Sequence, residues 1–208
     1  MKEEEVYKIL EHHIPATALG YSLQLWQETP FELKLSKKRE TKVGDFTCRR
    51  NSEIQRITLN HDLNPYLFLV TYIHEVAHLR VYLVHRYKKE PHGKEWKESF
   101  QQLIAPVLNE STFPNDILVI LEHHMKNPKA SSFADQKLTI ALRKYDHGHT
   151  EHIMVSQLPE GSVFKLQGKY FRKGSLRRTR FLCRELKSKR QYLVPSEAVV
   201  SEVQLSLL

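Results

Sequence analysis

Four histidines lie within residues 72–97, "YIHEVAHLRVYLVHRYKKEPHGKEWK", and two of them form the pattern H-E-x-x-H. On a helix, His74 and His78 project from one face one turn apart, so both imidazoles can bind the same cation. Glu75 is rotated by about 100° from His74, which places its carboxylate beside a water molecule on that cation. This is the arrangement of a zinc peptidase, in which the ion acidifies the water and the glutamate accepts its proton.

A catalytic zinc site needs a third protein ligand, and His85 and His92 are the nearest candidates. On a continuous helix His85 would lie roughly 16 Å along the axis from His74, which is too far to share one ion. His92 follows the turn-forming "KKEP" and precedes Gly93, so a chain that turns back can bring it to the metal. We therefore predict Zn²⁺ ligands at His74, His78 and His92, with Glu75 as the catalytic residue. The alternative is a pair of core histidines bonded to carbonyl groups, with the glutamate at a helix edge.

The residues around this motif predict the helix that carries it. Asn64 can cap a helix and Pro65 suits the first turn, and the apolar residues that follow surround most of the helix, which indicates a buried, central position. If His92 is a ligand, this helix ends near Val84 and residues 86–91 fold back towards the metal. Residues 93–108 predict a second helix.

The remaining periodicity predicts an α+β fold with two parts. Further helices are expected at 3–13, 18–27, 115–125 and 133–144. Alternating residues at 31–36, 43–50 and 54–60 predict a three-stranded antiparallel meander. From Ser162 onwards short strands joined by Gly and Ser-Lys turns predict a small β-sheet. We therefore divide the chain into a metal-binding domain, residues 1–145, and a basic β-rich segment, residues 160–208.

"HEVAH", followed after thirteen residues by "HGKEWK", resembles the SprT-like family, which includes the Spartan DNA–protein crosslink proteases. The resemblance covers roughly residues 30–108. It implies a compact zincin-like domain with a small antiparallel sheet, the H-E-x-x-H helix and following helices, in which Trp96 packs the second helix against the first. It also implies a zinc metallopeptidase that hydrolyses proteins on or near DNA, in DNA–protein crosslink repair. Many family members continue into a four-cysteine zinc ribbon, whereas here Cys183 stands alone, so we expect a degenerate ribbon-like sheet that folds on apolar contacts.

Positive charge is concentrated in the C-terminal segment. Residues 162–194 contain eleven Lys and Arg and one acidic residue, a net charge of +10 in a chain of net charge +8. Such asymmetry predicts a polyanion partner, and the absence of a base-reading motif predicts weakly sequence-specific DNA binding. The plainer interpretation is a solvated face of basic strands. The candidate phosphate contacts are Lys173, Arg177, Arg178, Arg180 and Arg184.

Two classes of function remain open: a zinc peptidase acting on a protein or peptide substrate, and a metal-stabilised nucleic-acid-binding protein with little or no peptidase activity. Two distant cysteines, Cys48 and Cys183, exclude a disulfide framework and a four-cysteine zinc site. The N-terminus is acidic and lacks a signal-peptide pattern, and the apolar run 66–73 is too short to span a bilayer. We therefore expect a cytoplasmic protein without a membrane partner.

Overall fold

The computed structural model describes residues 1–39, 42–49, 52–86, 88–129, 135–146 and 153–204. By its internal contacts the chain divides into two compact units, Met1–Gly148 and His149–Leu208. Helices dominate the first unit and strands the second, so the predicted α+β fold class is confirmed.

The N-terminal unit combines helices with one small sheet. Its helices are α1 (Glu3–His13), α2 (Leu19–Glu28), α3 (Pro65–His85), α4 (Lys94–Ile104), α5 (Asn115–Met125) and α6 (Gln136–Arg143). Its strands are β1 (Glu32–Ser36), β2 (Gly44–Thr47) and β3 (Arg56–Asn60). The apolar side of α3 lies in one core cluster with residues of all these helices and of β1 and β3.

Helix α3 is the centre of the unit and begins as its sequence predicts. The Asn64 side chain accepts a hydrogen bond from the main-chain N–H of Leu67 at 3.0 Å, and Pro65 occupies the first turn. The helix ends at His85, and Arg86 then adopts a left-handed φ of 56° that turns the chain away. Among the described residues, α3 is long and apolar enough to cross a bilayer, but 61% of its most apolar window is buried within the protein.

The three strands form a sheet in the order β1-β3-β2, so the predicted antiparallel meander is wrong. Strand β1 pairs with β3 in parallel, with Leu33 opposite Ile57, whereas β2 pairs with β3 antiparallel. Four of the five residues of β3 are buried, and the central place gives this strand a partner on each edge. Alternation of apolar residues predicts which segments are strands, but it carries no information about their order.

Glycine at position 44 allows β2 to approach α3 closely. A Cβ at Gly44 would lie 2.5 Å from Thr71 Cγ2 and 2.9 Å from Leu59 Cδ2, distances that packed carbon atoms do not adopt. The same Cβ would lie 3.1 Å from a carboxyl oxygen of Glu75. The strand therefore lies against α3 at a point where no side chain fits.

The C-terminal unit is a six-stranded sheet over a small apolar core. Its strands are β4 (Val163–Leu166), β5 (Lys169–Arg172), β6 (Leu176–Arg177), β7 (Arg180–Glu185), β8 (Gln191–Pro195) and β9 (Ser201–Gln204). The buried core consists of Val155, Leu158, Phe164, Phe171, Cys183, Val194 and Val200. Cys183 is free and completely buried, as expected of a sheet that folds on apolar contacts. The segment "LRRTRFLCREL" forms a tight hairpin of β6 and β7.

We predict that Gly44→Ala lowers the free energy of unfolding by about 1–3 kcal/mol, because the new methyl group overpacks the contact between β2 and α3. Thermal unfolding followed by circular dichroism measures the change. Gly20→Ala is the matched control: a Cβ at Gly20 in α2 meets no atom within 4 Å, so the substitution should stabilise the helix by about 0.5–1 kcal/mol. Equal effects of the two substitutions would contradict the close approach.

Candidate metal centre

The three histidines proposed as ligands lie together in the structure. His74 and His78 occupy successive turns of α3, and the chain that leaves α3 returns to place His92 just before α4. The Nε2 atom of His78 lies 3.2 Å from that of His74 and 3.1 Å from that of His92. Among the described residues, these three form the cluster of side chains that can hold a metal ion. We call it the histidine triad.

The geometry and chemistry of the histidine triad fit zinc. Imidazole nitrogens bound to one tetrahedral ion at about 2.0–2.1 Å lie about 3.3 Å apart, close to the separations observed. Burial, and then the neighbouring histidines, lowers the pKa of His74 well below its usual value. The same causes lower the pKa of His78 to about 3, and burial lowers that of His92. All three rings are therefore neutral at pH 7, which is the form that binds a metal.

Trp96 holds the histidine triad in place from α4. Its side chain is fully buried, and its ring lies 4.6, 5.3 and 4.7 Å from the rings of His74, His78 and His92. Its indole N–H donates to the main-chain oxygen of His74 at 3.4 Å. The side chain thus packs α4 against α3, as the sequence predicts, and it restricts the orientation of each imidazole.

Glu75 lies beside the triad and is largely buried. The residue is 6% exposed, and a carboxyl oxygen lies 4.0 Å from Nε2 of His74. Burial raises the pKa of Glu75 to about 8, although a hydrogen bond from the main-chain N–H of Phe46 favours the charged form. The strand β2 therefore supplies both the packing and the donor that position this carboxyl group.

The triad and Glu75 open into a cavity of about 700 Å³. Its walls include residues 42–46 of the segment that contains β2, residues 89–92 of the returning chain, Phe100 of α4 and His124 of α5. Sequence reasoning missed the roles of Gly44, Phe46 and His124. A glycine within a strand pattern is a recognised signal of close backbone approach, but no local pattern marks the other two residues.

The other histidine considered as a ligand lies elsewhere. His85 is the last residue of α3 and does not belong to the triad. The "HGHTEH" segment, residues 147–152, lies outside the described residues.

The structure places four of the predicted DNA contacts at the surface of the C-terminal sheet. Arg180 and Arg184 are four residues apart in β7 and therefore lie on the same face of the sheet. The cross-strand partner of Arg180 is Arg177. The partner of Arg184 is a further arginine, Arg172, which sequence reasoning missed. We define the arginine face as four exposed residues of these strands: Arg172, Arg177, Arg180 and Arg184. Arg178 is exposed in the hairpin turn with a φ of 58°.

Lys173 differs from the predicted arginines. It is 6% exposed, its ammonium group donates to the main-chain oxygen of Leu158, and it lies 3.8 Å from the centre of the Phe181 ring. Burial lowers its pKa. Its ammonium group is already hydrogen-bonded inside the unit, so we remove Lys173 from the set of candidate phosphate contacts.

Comparison with known proteins bears on the N-terminal unit. The family model described as SprT-like matches residues 16–115, a range that includes the histidine triad, Glu75 and Trp96. No curated protein matches the chain, and no solved structure matches it.

We predict that zinc binding at pH 7 releases about one proton from Glu75, because a nearby cation favours the carboxylate of a group whose pKa is otherwise about 8. The three imidazoles are already neutral and should release few protons. Calorimetric titration with zinc in buffers of different ionisation enthalpy measures the number. The Glu75→Gln variant should release about one proton fewer. Equal proton release by the two proteins would show that Glu75 is already ionised without metal.

Proposed function

We propose that the chain is a zinc-dependent metallopeptidase of the SprT-like family that hydrolyses proteins on or near DNA, because the SprT-like family model matches residues 16–115. The observation that carries the proposal is the position of Glu75 beside three converging imidazoles in one cavity. A family of metallopeptidase type and a metal-binding cluster both support this function.

Different residues of the site have different roles in the proposed hydrolysis. A zinc ion in the histidine triad would supply the Lewis acidity that acidifies water and polarises a carbonyl group. Glu75 accepts a proton from the attacking water and returns it to the leaving amine. A zinc ion would favour the carboxylate form of Glu75, which is the form that accepts a proton from water. The Phe46 N–H holds the carboxyl group in place during both transfers.

A purely structural zinc site is the competing interpretation, and two features favour the catalytic one. Structural zinc sites have four protein ligands, whereas catalytic sites have three and bind water as the fourth, and the described residues bring three donors together. Burying a glutamate next to these donors is costly, and a structural site has no chemical need for it.

The cavity favours an extended polypeptide as substrate. Within the described residues β2 pairs only with β3, so it is an edge strand of the sheet, and residues 42–46 border the cavity. An edge strand can bind the main chain of an extended peptide by adding it as a further strand. Recognition through main-chain groups depends little on sequence, which suits a peptidase of unfolded or locally unfolded proteins.

The arginine face supports the DNA part of the proposal. Arg177 opposite Arg180, and Arg172 opposite Arg184, are like-charged cross-strand pairs, which destabilise a sheet that has no counter-charge. A phosphate backbone supplies that counter-charge. Tyr170, 42% exposed, alternates with Arg172 on the same side of β5 and offers a ring on which an unpaired base can stack.

The test of peptidase activity is casein hydrolysis by the zinc-loaded protein, with and without single-stranded DNA. We predict that Glu75→Gln keeps zinc but lowers the rate about 10²–10⁴-fold, because an amide cannot accept the proton of water. His92→Ala should lose both zinc and activity. His85→Ala is the matched control and should keep both, since His85 lies outside the triad. Wild-type activity in Glu75→Gln, with contaminating proteases excluded, would contradict the role of Glu75, whereas a zinc-loaded wild type that hydrolyses no casein would support the metal-stabilised DNA-binding protein.

The test of DNA binding compares two triple variants with equal loss of charge. Replacing Arg177, Arg180 and Arg184 with Ala should weaken binding to all sequences alike and flatten the salt dependence by about one unit per lost phosphate contact. Replacing Lys8, Lys34 and Lys37, exposed lysines of the N-terminal unit, should have a smaller effect.

Fluorescence anisotropy across a salt series measures both properties. DNA-independent casein hydrolysis should survive in both variants. Indistinguishable salt slopes for the two would mean that the arginine face is only solvated.

A further inference from the structure

A fourth histidine shares the cavity with the triad and Glu75 but does not belong to the metal-binding cluster. His124, in the last turn of α5, lines the cavity and is only 4% exposed. It lies close enough to His74 to influence that residue electrostatically. Burying an imidazole costs free energy unless the ring is hydrogen-bonded, so its position requires an explanation.

Asp135 fixes the orientation of His124. The Nδ1 atom of His124 and Oδ2 of Asp135 are 3.0 Å apart. The other carboxyl oxygen accepts from the main-chain N–H of Leu138 and caps α6, so the aspartate is itself held in place. Burial raises and the bonds from His124 and Leu138 lower the pKa of Asp135, and the net direction is downward. An ionised Asp135 therefore binds a protonated Nδ1, which leaves Nε2 as the ring nitrogen for a molecule in the cavity.

A carboxylate that holds an imidazole by one nitrogen also stabilises the imidazolium form, whose second N–H can donate to negative charge. In peptide hydrolysis that charge develops on the scissile carbonyl oxygen. The proposed function gives Glu75 the proton of the attacking water and assigns no protein donor to this oxygen. His124 is the buried side chain in the same cavity that has the chemistry to supply one.

We propose that His124, oriented by Asp135 and carrying a proton on each ring nitrogen, is a further catalytic residue that donates a hydrogen bond from Nε2 to the oxyanion of the scissile carbonyl and keeps both protons throughout. The water oxygen bonds to the carbonyl carbon, the proton of the water goes to Glu75, and the carbonyl π electrons move to the oxygen that His124 stabilises. When the C–N bond breaks, those electrons restore the carbonyl group and the proton passes from Glu75 to the amine. His124 ends the cycle unchanged. This role rests on the proposed function.

The test separates stabilisation of the oxyanion from a structural role. Two inhibitors are titrated into the zinc-loaded protein: the phosphinic analogue of a Leu–Leu dipeptide, which carries tetrahedral oxygens, and a hydroxamate with the same side chains, which binds as a planar chelator. His124→Gln should weaken the phosphinate about 10²-fold, as expected for loss of one oxyanion donor, and leave hydroxamate affinity and zinc content unchanged. His123→Gln, its exposed neighbour on α5, is the matched control and should change neither.

A readout on the unmodified protein covers the case in which His124→Gln fails to fold. In ¹⁵N-histidine NMR spectra, the Nε2 resonance of His124 should shift on addition of the phosphinate and stay in place with the hydroxamate. An active wild type whose phosphinate-to-hydroxamate selectivity is unchanged by His124→Gln, or whose Nε2 resonance ignores both inhibitors, would overturn the role of His124 alone. A zinc-loaded wild type that hydrolyses no casein would overturn the proposed function and this role with it.

Discussion

Three imidazoles and a carboxyl group must be kept in an exact arrangement on and beside a helix that is buried along most of its length. Because partial burial limits the solvation of these groups by water, the protein supplies partners for them. The three histidines meet one another and the ring of Trp96, and Glu75 receives the main-chain N–H of Phe46. The position of α4, the approach of β2 at Gly44 and the return of the chain to His92 all follow from this requirement.

Local sequence patterns predict the centre of the site because its metal-binding and catalytic residues are separated by helical spacing. His74, Glu75 and His78 lie within one turn and a half, and Asn64 and Pro65 mark the start of the same helix. The sequence also predicts His92 as a ligand, because a continuous helix places His85 too far from His74 to share one ion. What the sequence could not provide is pairing between distant segments. Two examples are the parallel pairing of β1 with β3 and the hydrogen bond between His124 and Asp135. Both depend on contacts that produce no periodic pattern in the sequence.

The C-terminal unit shows the same limit in its charges. Counting basic residues identified the segment but could not separate Lys173, whose ammonium group is bonded inside the unit, from the exposed arginines. Strand register makes that separation, because it places Arg172 and Arg184 opposite each other and Arg177 opposite Arg180. A net charge is therefore a property of composition, whereas a surface that can bind a phosphate backbone is a property of register.

The return of the chain to His92 also has a mechanical side. An ion held by His74, His78 and His92 would cross-link the end of one helix to the start of the next and close the thirteen-residue segment between His78 and His92. Because the unfolded chain does not hold the three imidazoles together, the ion would bind the folded state in preference, and its binding free energy would add to the free energy of folding. For the proposed peptidase this would be a safeguard. A molecule that lost its ion would be easier to unfold and digest, but at the same moment it would lose the proposed ability to digest its neighbours.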